Sequence, residues 1–200
     1  MTEISDYVVT KALIALDNLL PDNQRPIRLY VVGGYALQLN SVRTDPNAVT
    51  DVDYVGETFD IDVKRIIDRI GSEFGLGPGW LNNDLLLSGS TISELEQYTG
   101  PLSFVIRNLP GLKHITIYAA DTLSVLRMKI IAIDTTLLNY LDNPTLGFTR
   151  LKDFNDIELA CAQLGLDEGG LKKLVTEMDL EGLLLEPAST LNAIRREVFH

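Results

Sequence analysis

The stretch that decides the fold is residues 28–55, which read RLYVVGGYALQLNSVRTDPNAVTDVDYV. The run RLYVV at 28–32, apolar after Arg28, predicts a buried strand that ends at Gly33-Gly34. A short helix is predicted over residues 35–40, and after a polar loop a second strand is predicted over 51–55. The pattern indicates two neighbouring strands that present a glycine turn and an acidic pair.

The acidic pair is Asp51 and Asp53, two residues apart on a predicted strand. A strand alternates its side chains, so both carboxylates are expected on one sheet face, with Val52 and Tyr54 on the other. Two like charges held so close repel unless a cation lies between them. Mg²⁺ prefers oxygen ligands and phosphate partners. The alternative is an edge strand whose aspartates simply face water.

The double glycine at Gly33 and Gly34 allows a close approach of the backbone to a phosphate at a strand-to-helix turn. The chain has no Gly-x-Gly-x-x-Gly, so the turn is not a dinucleotide fingerprint. Arg43, beyond the short helix, is placed to reach a triphosphate, and an ordinary surface arginine is the competing interpretation.

Together these segments resemble the signature of the polymerase-beta-like nucleotidyltransferase superfamily. The blocks that carry the resemblance are LYVVGGYAL at 29–37 and TDVDYV at 50–55. The resemblance implies that Gly33 and Gly34 hold a nucleoside triphosphate. It also implies that Asp51 and Asp53 hold magnesium for in-line transfer of a nucleotidyl group.

Two features depart from that family's pattern. The gap between the glycines and the aspartates is a few residues longer than usual, filled by residues 41–50. A third carboxylate on a later strand is usual in active members, and neither predicted strand after residue 100 supplies one. Asp84, Glu94 and Glu96 lie outside those strands.

The rest of the chain predicts an α+β fold with a small mixed sheet and flanking helices. Further helices are predicted over residues 5–20, 62–74, 121–141, 150–164, 168–178 and 188–199, and a β-hairpin over 103–108 and 113–119. Residues 75–102 give no clear pattern. We expect an α/β core over 1–120 and a helical C-terminal part over 121–200, packed on the core as one compact unit.

A second candidate group pairs two of the predicted helices. Lys129 borders the apolar stripe of the first, and Asp153 lies at the edge of the stripe of the second, whereas Asp156 is expected to point farther away. A Lys129–Asp153 pair lining a cleft is therefore predicted. A structural salt bridge between the helices explains the pattern equally well.

The same region resembles nucleotidyltransferase toxins of abortive-infection and toxin–antitoxin systems and related nucleotidyltransferase-like proteins. The resemblance rests on a helical lysine followed by the run RLKDFNDI at 150–157. It implies that Lys129 and Asp153 belong to the active site, where an ammonium group would neutralise phosphate charge.

Composition narrows the possible partners. The formal net charge of -11 argues against a general nucleic-acid binder. Three short basic clusters, at residues 64–69, 172–173 and 195–196, are interpreted as solvated helix faces. With one cysteine, Cys161, no intrachain disulfide is expected, and we interpret this residue as buried. No signal peptide or membrane span is apparent, so a cytoplasmic protein is expected.

The function that we expect is magnesium-dependent transfer of a nucleotide from a nucleoside triphosphate to an RNA, with tRNA the first candidate, or to another acceptor. Such an enzyme would suit a toxin or phage-defence component, with a cognate antitoxin protein as partner. The alternative is a non-catalytic protein of the same fold that senses nucleotides or acts as an interaction partner.

Overall fold

The structure of the chain is a computed structural model that describes residues 7–22, 25–45, 49–56, 58–83, 91–142 and 151–199. Its helices are α1 (Val8–Leu19), α2 (Gly33–Leu39), α3 (Ile61–Glu73), α4 (Ile92–Thr99), α5 (Thr122–Asp142), α6 (Leu151–Leu164), α7 (Glu168–Leu180) and α8 (Pro187–Val198). Its strands are β1 (Ile27–Val31), β2 (Val52–Val55), β3 (Leu81–Asn82), β4 (Phe104–Arg107) and β5 (Ile115–Ala120).

The five strands form one mixed sheet in the order β3-β2-β1-β5-β4. β1 is central, parallel to β5 and antiparallel to β2, which it meets at Tyr30↔Val55 and Val31↔Tyr54. β4 and β5 form the antiparallel hairpin that the sequence predicts. A mixed sheet combined with helices confirms the predicted α+β class.

The chain divides into two compact units, which are described separately. The first comprises residues 1–95 and 103–121 and holds the sheet with α1, α2 and α3. The second comprises residues 96–102 and 122–200 and holds α5 to α8. None of the helices in the described ranges is both long and apolar enough to span a membrane.

One face of the sheet in the first unit is buried. Leu29, Val31, Ile117 and Ala119 alternate onto this face and are at most 1% exposed. A sheet buries its apolar face against a second layer, and α1, α2 and α3 supply that layer. α1 contacts α3, and the hydroxyl groups of Thr10 and Tyr35 join α1 to α2 at 2.8 Å.

The opposite face carries a row of partly exposed rings. Tyr30 stacks on Tyr118 across the β1–β5 register, with ring centroids 4.8 Å apart. Phe104 contacts Tyr30 edge to face at 5.3 Å. The two sheet faces are thus distinct, because one is sealed under helices and the other keeps aromatic side chains partly accessible.

A buried carboxylate joins α1 to the start of β5. Asp17 is fully buried and accepts hydrogen bonds from the backbone N–H groups of Lys113, His114 and Ile115 at 2.7–2.8 Å. Such a charge is tolerated inside a protein only when hydrogen bonds replace water. Asp17 therefore holds the C-terminal end of α1 against the start of β5.

The stretch 75–102, which gave no clear pattern, contains two short elements in its described residues, 75–83 and 91–102. β3 begins directly after Trp80 and pairs with β2. Trp80 is 1% exposed, and its Nε1 donates to the carbonyl of Ile67 at 2.8 Å. α4 begins with a reciprocal cap between Thr91 and Glu94. This Thr-x-x-Glu capping box is a sequence signal for a helix start, in a stretch where no helix was predicted.

Element boundaries differ from the prediction in two places near the candidate site. α2 begins at Gly33 rather than at Tyr35, and β2 begins at Val52, so Asp51 immediately precedes it. Three sequence positions with a role in the predictions, Ser5 in the first predicted helix, Asp84 and Arg150, lie outside the described residues.

The second unit is a helical bundle around its own core. The core side chains come from all four helices and include Leu126, Ile130, Ile133, Phe154, Ile157, Leu171, Met178 and Ile194. Buried Asp134 of α5 accepts hydrogen bonds from Leu185 N, Glu186 N and Thr190 Oγ1 at 2.8–2.9 Å. Asp134 thereby satisfies backbone N–H groups at the start of α8, where the N-cap residue Glu186 makes no side-chain cap hydrogen bond.

Candidate functional site

The carboxylate of Asp53 lies over the glycine turn. Gly33 is the first residue of α2 and has a positive φ of 65°, a conformation that glycine adopts without strain. A Cβ atom at position 33 would lie 2.9 Å from Asp53 Oδ2, closer than real contacts allow. The Val32 N–H donates to the Asp53 carbonyl at 2.9 Å and holds this register. A side chain at position 33 would therefore require the Asp53 carboxylate to move.

Asp51 and Asp53 alternate with buried residues. Both are half-buried, whereas Val52 and Tyr54 between and beyond them are 0% and 3% exposed. This alternation is the one expected of a strand with one face in the core. This burial pattern agrees with a placement of the two aspartates on a common face, although Asp51 precedes the strand proper.

Arg43 is brought back to the second glycine by the loop after α2. The N–H groups of Val42 and Arg43 both donate to the carbonyl of Leu37, at 2.9 and 3.3 Å. Ser41, with a φ of 60°, makes the reversal. The guanidinium of Arg43 is 3.8 Å from the point where a Cβ of Gly34 would lie, and the residue is 7% exposed. It is therefore a buried cation beside the turn, not a surface arginine.

The acidic pair suits magnesium by its donor set. Mg²⁺ is commonly held by one or two carboxylates, with substrate phosphates and water supplying the remaining oxygens. The residues present therefore fit a magnesium ion held by Asp51 and Asp53 together with a triphosphate.

No third carboxylate joins this pair from the later strands, which read FVIR in β4 and ITIYAA in β5. Glu94 caps α4, and Glu96 accepts from the Leu102 N–H at 3.0 Å. Within the described parts of the chain, no group of three or more His, Cys, Asp or Glu residues is arranged to hold a metal ion.

The second candidate group lies wholly inside the second unit. Lys129 Nζ is 2.5 Å from Asp153 Oδ1 and 3.1 Å from Asp156 Oδ2. The lysine side chain is 16% exposed, and the two carboxylates are 6% and 0% exposed. Burial by itself lowers the pKa of Lys129, but the charges of the two aspartates and their hydrogen bonds outweigh it, so the pKa is raised.

The prediction that Asp156 points away from Lys129 is wrong. Asp153 and Asp156 are one turn apart on α6, and residues at i and i+3 lie side by side on a helix. The buried face of α6 is wider than the predicted stripe, because it also includes Ala160. Lys129 thus joins two carboxylates rather than one.

Several residues have plain structural roles. The basic clusters are exposed and paired with nearby acids, as in Arg65–Asp62 at 3.1 Å, Arg69–Glu73 at 3.7 Å and Lys173–Glu177 at 3.8 Å. This agrees with their interpretation as solvated helix faces. Cys161 is 2% exposed, and burial raises the pKa of its thiol to about 11, as suits a core residue.

The predicted site residues therefore fall into two groups. Gly33, Gly34, Arg43, Asp51 and Asp53 belong to the first unit, and Lys129 and Asp153 belong to the second. No protein-family model matches this chain, and neither does a curated protein or a solved structure.

Proposed function

We propose that this chain is a magnesium-dependent nucleotidyltransferase that moves a nucleotide from a nucleoside triphosphate to an acceptor. The observation that carries the proposal is the contact between the two motifs: Asp53 Oδ2 lies 2.9 Å from the position that a Cβ of Gly33 would take. A carboxylate beside a glycine turn, with a second carboxylate two residues earlier, is an arrangement suited to a metal–triphosphate complex.

Each residue has a definite role in this proposal. Asp51 and Asp53 would hold magnesium, which neutralises phosphate charge when it is bound. Gly33 and Gly34 would hold the triphosphate at the strand-to-helix turn, where glycine permits the conformation that the turn requires. The buried guanidinium of Arg43 at Gly34 supplies a fixed positive charge for the phosphates.

The acceptor that we would test first is RNA, with tRNA as the leading candidate. The net charge of -11 opposes broad contact with a polyanion, and the basic clusters are offset by acidic neighbours. An acceptor RNA would therefore be held through a short segment near its reacting end. A toxin or phage-defence role, with a cognate antitoxin protein as partner, is the setting that we propose for this activity.

A non-catalytic role in nucleotide sensing is the second candidate. It is favoured by one observation, which is that β4 and β5 place no carboxylate beside the Asp51–Asp53 pair. Such a protein would bind a metal–nucleotide complex without transferring the nucleotide.

The deciding experiment incubates the purified chain with each α-labelled triphosphate, Mg²⁺ and either total RNA or tRNA. We expect labelled RNA from the wild type and at least about a hundredfold less from Asp53→Asn. Asp62→Asn is the matched control, because its side chain is 82% exposed. Equal labelling by Asp53→Asn and the wild type would refute the mechanism.

Thermal shifts with ATP, GTP, CTP and UTP in the presence of Mg²⁺ separate the two candidates. A shift that is lost in Asp53→Asn, with no labelling of RNA, supports sensing or a different acceptor. No shift with any nucleotide, together with no labelling, would overturn both nucleotide-based roles.

A further inference from the structure

The open face of the sheet in the first unit carries aromatic rings from three neighbouring strands. Tyr30 of β1 pairs with Tyr118 of β5 and stacks on it at 4.8 Å. Phe104 of β4 pairs with Ala120, and this small neighbour lets the phenyl ring reach Tyr30 at 5.3 Å. The three rings are partly exposed, and Ile106, which pairs with Tyr118, is 53% exposed. Exposed apolar patches of this kind mark interaction sites, and we call this one the aromatic face.

The aromatic face lies on the same side of the sheet as Asp53. Tyr30 pairs with Val55 of β2, and residues directly opposite each other on neighbouring strands share a face. Asp53 is two residues before Val55, so its side chain lies on that face as well. The Asp53 carbonyl accepts from the N–H of Val32, which is two residues, or roughly 7 Å, beyond Tyr30. A chain molecule bound on the rings would therefore extend to the candidate metal site.

The strands that supply the rings carry no acidic residue. β1 reads IRLYV, β4 reads FVIR and β5 reads ITIYAA. Residues 97–120 contain no Asp or Glu, although 28 acids in 200 residues would give a stretch of this length about three. Arg28, two residues before Tyr30, is exposed on the aromatic face, and its side chain makes no ion pair in the described part of the chain. A polyanion can therefore lie on these strands without meeting a carboxylate from them.

Rings together with a cation and no acid favour a single-stranded nucleic acid over a protein as the ligand. Aromatic side chains stack bases whatever their sequence, and a guanidinium group recognises phosphate. Rings that are held by neighbouring rings lose little entropy when a flat ligand packs against them. A duplex keeps its bases stacked inside, so only unpaired bases can reach such a surface.

We propose that the aromatic face binds a short single-stranded segment of RNA, with bases stacked on Tyr30, Phe104 and Tyr118 and a phosphate at Arg28. That this RNA is the acceptor rests on the proposed nucleotidyl transfer, whereas the binding itself does not. Binding needs neither magnesium nor a triphosphate, because it uses no residue of the glycine turn or the acidic pair. Three rings accommodate about two or three bases, which agrees with an acceptor held near its reacting end.

The test is fluorescence anisotropy of the full chain in EDTA with labelled oligo(U) and oligo(A) of about eight nucleotides. At least one single strand should bind about tenfold more tightly than an RNA duplex of the same length. Tyr118→Leu and Phe104→Leu should each weaken this binding about fivefold or more, because leucine keeps the apolar cover but cannot stack a base. Arg28→Gln should reduce the slope of log affinity against log salt by about 0.7, as one lost phosphate contact requires.

Phe74→Leu and Arg65→Gln are the matched controls. Phe74 is a partly exposed ring at the end of α3, in the layer on the other face of the sheet, and the Arg65 side chain on the same helix is 73% exposed. Each should change the Kd less than about twofold. Asp53→Asn should bind RNA at least as tightly as the wild type. RNA binding of this pattern without nucleotide transfer by the wild type would refute the proposed function and support the binding face.

No binding of either single strand at a concentration of about 1 mM would overturn the proposal. Equal affinity for the duplex, or an effect of Phe74→Leu as large as that of Tyr118→Leu, would overturn it too. A protein occupant is tested by sedimentation. A dimer of the chain that Ile106→Lys dissociates, with no binding of RNA, would replace the proposed ligand by a second copy of the chain.

Discussion

Asp53 Oδ2 would lie 2.9 Å from a Cβ atom at Gly33, so the acidic strand and the glycine turn are in direct contact. The two motifs are far apart in the sequence, and the antiparallel register of β1 and β2 brings them together. Two features favour glycine at position 33, namely its positive φ of 65° and the nearby carboxylate of Asp53. This relationship makes Gly33 the most informative position in the candidate site.

Gly33→Ala should lower the free energy of unfolding by about 1–3 kcal/mol, because an alanine is strained at this φ and its methyl group displaces Asp53. Urea unfolding followed by circular dichroism measures the loss. The displaced carboxylate should also reduce nucleotidyl transfer to below one tenth of the wild-type rate.

Gly34→Ala provides the comparison for the stability measurement. Its Cβ would contact Val49 at 3.5 Å and Arg43 at 3.8 Å, which are ordinary van der Waals distances. We therefore expect a change within about 0.5 kcal/mol. An equal loss of stability in the two variants would contradict the assigned contact with Asp53.

Lys129→Met should destabilise the chain by about 3–5 kcal/mol, because it leaves Asp153 and Asp156 buried without their shared cation. Adding Asp156→Asn to this variant should recover part of the loss. Lys173→Met, at a side chain that is 80% exposed, should have little effect. If the Lys129 salt bridge is only structural, the double variant Lys129→Met/Asp156→Asn should retain transfer activity. If Lys129 belongs to the active site, the double variant should be inactive.

The stability difference between the wild type and Lys129→Met should depend on pH. The folded pKa of Lys129 is raised above its ordinary value of 10.5. A raised lysine pKa contributes stability that is fully present below the unfolded pKa and is lost as the pH rises through the folded pKa. The stability difference between the wild type and Lys129→Met should therefore stay constant up to pH of about 10 and shrink above it. A difference that already disappears between neutral pH and pH of about 8 would disprove this assignment.

Asp17→Ala should cost about 2–4 kcal/mol, because it leaves the N–H groups of Lys113, His114 and Ile115 without their acceptor. Asp17→Asn should cost less, since one side-chain oxygen remains to accept. Asn18→Ala, at the exposed neighbouring position, is the control and should be close to neutral. Urea unfolding at neutral pH distinguishes the three, and a neutral Asp17→Ala would show that water replaces the carboxylate.

Patterns local in the sequence predicted most of the fold. Periodicity within a short stretch of sequence predicts the strand before Gly33, the β4–β5 hairpin and the helices of the second unit. α4 was missed although Thr91 and Glu94 mark its start, since its eight residues contribute only a short apolar stripe. β3 has two residues, too few for any periodic signal, and exists because β2 offers it an edge.

The sequence by itself determined the glycine turn, the alternation of Asp51 and Asp53, and the α+β class, because each depends on residues close together in the chain. Tertiary structure alone decided that Asp53 lies on Gly33, that Arg43 returns to Gly34, and that Asp156 joins Lys129. These contacts depend on strand register, on the path of a loop and on the rotation of one helix against another. No spacing in the sequence encodes those quantities, since they are set by which surfaces pack together.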